Sequence, residues 1–73
     1  MTLKELSTMI PSEQLLQIQA GLIAARVSLS AIYSWMRGVR RPAYLYQKEI
    51  VSLIRKYTDY KTITVEELFP TTK

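Results

Sequence analysis

Apolar residues recur at helical rather than alternating spacing along most of the chain. A first set follows the i, i+3, i+6, i+7 spacing of a short amphipathic helix and comprises Leu3, Leu6, Met9 and Ile10. Pro11 disfavours helical geometry at the residue before it, so this helix should end there. No segment alternates convincingly with period two. The pattern therefore predicts an all-α fold of four or five short helices.

A second helix should follow Pro11. Ser12 suits the N-cap, because its hydroxyl can accept a bond from a free backbone N–H, and Glu13 would lie in the favourable first turn. Gly21 interrupts the segment and lowers helix propensity by about 1 kcal/mol relative to Ala. We therefore expect a kink or break near Gly21, with Gln19 to Ala25 forming a separate short helix.

A third helix is predicted from Leu29 to Arg37. Ser28 suits its N-cap, and Gly38 supplies the left-handed residue at which helices commonly stop. One side of this helix is apolar, with Ile32, Trp35 and Met36. The opposite side is largely uncharged and carries Ser30, Tyr33, Ser34 and Arg37. We expect Trp35 to belong to the core, and the basic turn Arg40-Arg41-Pro42 follows the helix directly.

The longest predicted helix runs from Ala43 to Tyr57. Its apolar stripe comprises Tyr46, Ile50, Leu53, Ile54 and Tyr57, and Leu45 is also assigned to the core. Thr64 and Glu67 then form a capping-box pattern, which predicts one or two helical turns ending at Pro70. Leu68 and Phe69 should dock on the core, and residues 71–73 should be frayed.

Composition limits the chemistry that this chain can perform. Seventy-three residues make one domain, and 48% hydrophobic content argues against disorder. The absence of Cys and His excludes disulfides and the usual zinc sites, and the six carboxylates are scattered. We therefore expect no enzyme activity, no cofactor and no metal. No apolar run could span a bilayer and no leader pattern is present, so a cytoplasmic protein is expected.

Positive charge is concentrated in the middle of the chain. Residues 26 to 61 carry eight basic and two acidic side chains, a local net charge of +6, whereas the whole chain carries +4. A basic centre is typical of proteins that bind polyanions. Charge alone leaves a second interpretation open, which is an ordinary solvated basic surface.

The stretch from residue 26 to 42 resembles the second half of the helix-turn-helix in lambda repressor-like proteins of the Cro and xenobiotic-response-element type. The residues that carry the resemblance are Val27, Ser28, Ile32, Trp35, Gly38, Arg40, Arg41 and Pro42. It extends more loosely to residues 63–70, similar to the short closing helix of those domains, and covers about residues 13–70. It implies a compact four- to five-helix bundle formed by residues 1–73. The motif would span about 17–38, a long supporting helix about 43–57 and the closing helix about 64–69.

The resemblance also implies that the third helix lies in a DNA major groove. The candidate base-contact residues are Leu29, Ser30, Tyr33 and Ser34, for which the alternative is a plain polar helix surface. The candidate phosphate-contact residues are Gln17, Gln19, Ser28, Arg37, Arg40, Arg41 and Tyr44, and for the arginines the alternative is solubility. Arg26 occupies the turn where the family usually has glycine. It is either a further phosphate clamp or an exposed residue in place of that glycine.

The function predicted from these features is sequence-specific binding of double-stranded DNA. The chain would be a small transcriptional regulator of phage or bacterial type and would most simply act as a repressor. It would be a possible homodimer and would be associated with the nucleoid. No membrane association and no small-molecule ligand are expected. The alternative is a helical protein–protein interaction module without DNA binding. It would use the tyrosine-rich surface of Tyr44, Tyr46, Tyr57 and Tyr60.

Overall fold

The computed structural model describes residues 2–70, and within this range the chain folds into five α-helices and no strands. The helices are α1 (Leu3–Met9), α2 (Ser12–Ala24), α3 (Leu29–Met36), α4 (Tyr44–Tyr57) and α5 (Val65–Leu68). The all-α prediction is confirmed. The expectation that residues 71–73 fray falls on residues outside the described range.

Helix α1 is fixed at both ends by local chemistry. The hydroxyl of Thr2 accepts a bond from the Glu5 N–H at 3.3 Å, and the Thr2 N–H donates to the Glu5 carboxylate at 2.9 Å. The bond from the Thr2 N–H, reinforced by the Thr2 hydroxyl, lowers the pKa of Glu5 below its ordinary value. Ile10 is extended and Pro11 follows it, so the predicted end of the helix is confirmed.

Helix α2 is continuous, and the expected break near Gly21 is wrong. The helix has Pro11 at its N-cap position and Ser12 as its first residue, so the expected Ser12 cap is not formed. A Cβ on Gly21 would lie 2.5 Å from Cδ2 of Leu53. Gly21 therefore serves the close approach of α2 to α4, and this packing offsets its low helix propensity. Because α2 starts at Ser12, no separate helix begins at Gln19.

The core is formed where the five helices pack against one another in pairs. Helix α2 packs mainly against α4, α1 packs against α3, and α5 packs against α4. The most completely buried large side chains come from all five helices and are Leu6, Ile18, Leu22, Ile32, Ile50, Ile54 and Leu68. A core that draws on every helix ties the position of α3 to the rest of the domain.

Helix α4 begins one residue later than expected, and Ile50, Leu53 and Ile54 of its predicted stripe are buried, as expected. Leu45 is 77% exposed, so its assignment to the core is wrong. The buried position in this turn is Gln47, whose side-chain amide donates to the Pro42 carbonyl at 2.8 Å. That bond satisfies the buried polar group and holds the preceding turn against the helix. Tyr46, from the predicted stripe, remains 40% exposed.

Thr64 caps helix α5 as expected, but the Glu67 carboxylate accepts from the Thr64 hydroxyl and not from the Thr64 N–H, so only half of the predicted capping box is formed. The Thr64 hydroxyl accepts a bond from the Glu67 N–H at 3.3 Å, and Leu68 and Phe69 are buried, as expected. The link before α5 is held by Arg55, whose Nε donates to the Ile63 carbonyl at 2.8 Å. From residue 2 to residue 70, no helix has the length and apolar character needed to cross a membrane.

Candidate nucleic-acid interface

One side of α3 is fixed in the core. Ile32, Trp35 and Met36 are buried, and only 9% of Trp35 is exposed, which confirms its assignment to the core. The Trp35 ring packs on Tyr46 of α4, with 5.4 Å between the ring centroids and an angle of 37° between the planes. Tilted aromatic pairs at this distance are favourable. The orientation of α3 is therefore set by its apolar side.

The other side of α3 is open and uncharged. Leu29 and Tyr33 are each 50% exposed, and Ser30 is exposed too. Ser34 is half-buried, and its carbonyl accepts a bond from the N–H of Val39 at 2.9 Å. Ser30 is thus better placed than Ser34 to reach another molecule. The face offers hydroxyl groups, which both donate and accept hydrogen bonds.

The turn before α3 is tight and includes a residue in the left-handed conformation. Arg26 has φ 69°, and its N–H donates to the Ile23 carbonyl at 2.9 Å. Val27 then turns into the core, and the Ser28 hydroxyl accepts a bond from the Ala31 N–H at 3.2 Å, so the predicted N-cap is confirmed. The Arg26 side chain is exposed at the start of α3.

The turn after α3 presents two further arginines. Gly38 has φ 75°, which confirms the predicted left-handed stop, and its N–H donates to the Trp35 carbonyl at 3.1 Å. Arg37 and Arg40 flank this glycine and are exposed. Together with Arg26 they place guanidinium groups before and after the open face of α3.

Arg41 differs from its neighbours because its guanidinium is already occupied. Nη1 donates to the Pro70 carbonyl at 2.8 Å, and Nη2 donates to the Phe69 carbonyl at 2.9 Å. These bonds fasten the turn after α3 to the end of α5. A phosphate contact by Arg41 stays a prediction, but both of its terminal nitrogens already have partners.

Of the remaining phosphate candidates, Gln17 and Gln19 are placed differently from the sequence prediction, whereas Tyr44 lies at the start of the long helix, as expected. Gln17 and Gln19 were expected near the start of a helix, where free N–H groups attract anions, but both lie inside the continuous α2. Gln17 is exposed and Gln19 is half-buried. Tyr44 is the first residue of α4 and is 63% exposed, with the Lys48 ammonium 5.7 Å from its ring centroid.

Lys4 is a basic residue that sequence reasoning missed. Its Cδ and Cβ lie 3.7 and 3.8 Å from the position that a Cβ on Gly38 would occupy. It lines the same groove as Arg37 and Arg40. No local spacing could reveal this, because α1 reaches the turn after α3 only through tertiary packing.

Neither a metal-binding group nor a similar known protein gives further information on the site. Among residues 2–70, no group of three or more His, Cys, Asp or Glu side chains could hold a metal ion. Comparisons with protein-family models, with curated proteins and with solved structures find no match to this chain.

Proposed function

We propose that this chain binds double-stranded DNA in a sequence-specific way through a helix-turn-helix formed by α2, residues 25–28 and α3. The observation that carries the proposal is the open, uncharged face of α3, with exposed arginines in the turns before and after the helix. Arg26 precedes the helix, and Arg37 and Arg40 follow it. An uncharged face can approach base edges while cations beside it bind phosphates.

The dimensions of α3 suit this role. An α-helix with its side chains is about 10–12 Å across, which fits the B-DNA major groove of about 12 Å, and the eight residues of α3 make about two turns. Burial of Ile32 and Trp35 holds the opposite side, so the helix can enter the groove as part of a rigid domain. Arginine binds phosphate oxygens in a bidentate way, which fixes the protein on the duplex.

Base recognition by this face would be modest. Ser30 can bond to more than one base type, and Leu29 and Tyr33 offer apolar contact, for example with a thymine methyl group. The strong bidentate pairs of Arg with guanine or Gln with adenine are missing from this set. DNA shape and a second half-site would therefore supply much of the specificity, which favours a homodimer on a two-fold site.

Such a protein needs no catalytic machinery. Bound across a promoter, it would exclude the polymerase by occupancy, which makes a small repressor of phage or bacterial type the simplest role. The proposal includes no enzyme activity.

Paired substitutions at Arg40 and Ser30 test the docking mode. Phosphate is the same at every base pair, so Arg40→Ala should weaken specific and non-specific binding alike and reduce the slope of log K against log salt by about one unit. Ser30→Ala should keep that slope and cost ~1 kcal/mol at one base position, the low end for a base contact. Fluorescence anisotropy with labelled duplexes over a salt series measures both effects.

Lys56→Gln is the matched control for charge. Lys56 is exposed near the end of α4, with its ammonium 5.3 Å from the Tyr57 ring centroid, and it is not part of the proposed interface. The Lys56→Gln variant should therefore bind DNA with nearly unchanged affinity. Equal losses for Arg40→Ala and Lys56→Gln would mean that only net charge matters, and loss of binding to all sequences in Ser30→Ala would refute base contact.

A protein-interaction module is the second candidate, favoured by apolar residues exposed beyond α3. Val39 is 69% exposed, Tyr44 63% and Leu45 77%. Exposed aromatic and aliphatic side chains are enriched at protein interfaces. If Leu45→Ser leaves DNA binding intact but abolishes binding to a protein partner, the chain would have both functions, DNA binding and protein interaction. If the unaltered chain does not bind DNA, protein interaction would replace DNA binding as the proposed function.

A further inference from the structure

A groove of about 460 Å³ lies between the start of α1, the turn after α3 and the end of α5. Its volume falls within the range of small-molecule sites. The sequence predicts no small-molecule ligand, and the three segments that form this groove are far apart in the chain. We call it the basic groove, after the cations Lys4, Arg37 and Arg40 that line it.

The apolar part of the basic groove is formed by core side chains. Leu3, Trp35 and Phe69 all line it, and each is at least nine-tenths buried. The few exposed atoms of these side chains give the groove a small apolar floor that a ligand's ring can contact. The bonds from Arg41 to the carbonyls of Phe69 and Pro70 join two of the three segments and hold the groove in shape.

The polar part of the basic groove is cationic. Lys4, Arg37 and Arg40 are exposed, and no carboxylate belongs to the lining that the described residues provide. Arg41 is the fourth cation of the lining, but its guanidinium is bonded to carbonyl groups, so an anion entering from solvent would meet three available positive side chains beside the apolar floor. Such a combination of an apolar surface and a few charged groups selects small amphiphilic anions.

We propose that the basic groove binds a small aromatic anion, a flat ring with a single carboxylate or phosphate group, and that its occupancy weakens DNA binding. The second part rests on the proposed function, because Arg37 and Arg40 are also the proposed phosphate contacts. A bound anion takes these guanidinium groups away from the DNA backbone. Linkage then requires that DNA weakens anion binding by the same factor.

The first experiment uses 2-naphthoate as the probe and follows ¹H–¹⁵N spectra of the full chain without DNA. Saturable shifts are expected at the indole N–H of Trp35 and at Gly38 and Val39, which line the groove. The neutral 2-naphthamide should bind about tenfold more weakly, since it lacks the charge-assisted bonds. Equal binding of the amide, equal binding of acetate, or shifts located elsewhere would each overturn the proposal.

Two variants with the same change in charge separate the groove from general electrostatics. Arg40→Gln should weaken 2-naphthoate binding about fivefold, and Lys56→Gln should leave it unchanged. Because both residues are exposed, both variants should keep the spectrum of the folded protein. Equal effects of the two variants would refute recognition by the groove.

A competition experiment tests the link to DNA. DNA affinity is measured with and without saturating 2-naphthoate at constant ionic strength, and a loss of about fivefold or more is expected, the usual size of coupling between two sites. An unchanged affinity would overturn the coupling. DNA binding measured without 2-naphthoate tests the proposed function separately, so the two failures can be told apart.

Discussion

Replacing Arg26 by glycine should stabilise the protein. Arg26 has φ 69°, a conformation that costs a residue with a Cβ roughly 1–2 kcal/mol. Glycine removes this cost but gives the unfolded chain extra freedom worth about 0.5–1 kcal/mol. The difference predicts a net gain of about 0.5–1 kcal/mol, or a rise in Tm of roughly 2–8 °C for a domain of this size.

The assay is thermal and urea unfolding of three variants at position 26, followed by circular dichroism. Arg26→Gly should be the most stable, Arg26→Asn should come next because Asn tolerates the left-handed region, and Arg26→Ala should show no gain. Equal stabilities for Gly and Ala, or a loss with Gly, would refute the strain argument. If Arg26→Gly gains stability and loses DNA affinity, Arg26 is a phosphate clamp. If affinity is kept, it is a tolerated exposed residue.

Three further substitutions test the packing around the proposed interface. Gly21→Ala should destabilise the protein by about 1 kcal/mol, because the new Cβ would lie 2.5 Å from Cδ2 of Leu53. The same change should stabilise a Leu53→Ala variant, in which this contact is absent, and urea unfolding measures both effects. Trp35→Ala should lower the free energy of unfolding by about 3–5 kcal/mol, so that circular dichroism shows an unfolded domain. A folded variant of unchanged stability would place the ring outside the core. Arg41→Ala should lower the free energy of unfolding, measured with urea, by about 1 kcal/mol, because the two hydrogen bonds to the carbonyls of Phe69 and Pro70 disappear. Arg40→Ala should leave the free energy of unfolding unchanged.

Local rules predicted the ends of α1, α3 and α5, whereas the start of α2 was predicted with the wrong cap. Ser28 caps α3, Gly38 ends it with positive φ, and Thr64 caps α5, each as expected. These features depend on a few neighbouring residues, so the sequence contains the information directly. The capping box between Thr2 and Glu5 follows the same rule and could have been read in the same way.

Features set by tertiary packing could not be predicted. Gly21 looks like a helix breaker in isolation, and only the position of the Leu53 side chain on α4 shows what a larger residue would meet there. Leu45 has the hydrophobicity of a core residue, but the buried stripe of α4 passes through Gln47 instead. The convergence of Lys4 on the turn after α3 likewise depends on how α1 packs, which no spacing records.

The most direct test of the proposed function is a binding selection on random DNA duplexes with the full chain at moderate salt. If a homodimer recognises DNA through its two α3 helices, the selection should enrich a two-fold symmetric sequence whose half-sites are about one helical turn apart. A single enriched half-site would support groove recognition by a monomer and contradict the dimer. A recovered pool with the same composition as the input would contradict sequence-specific DNA binding itself.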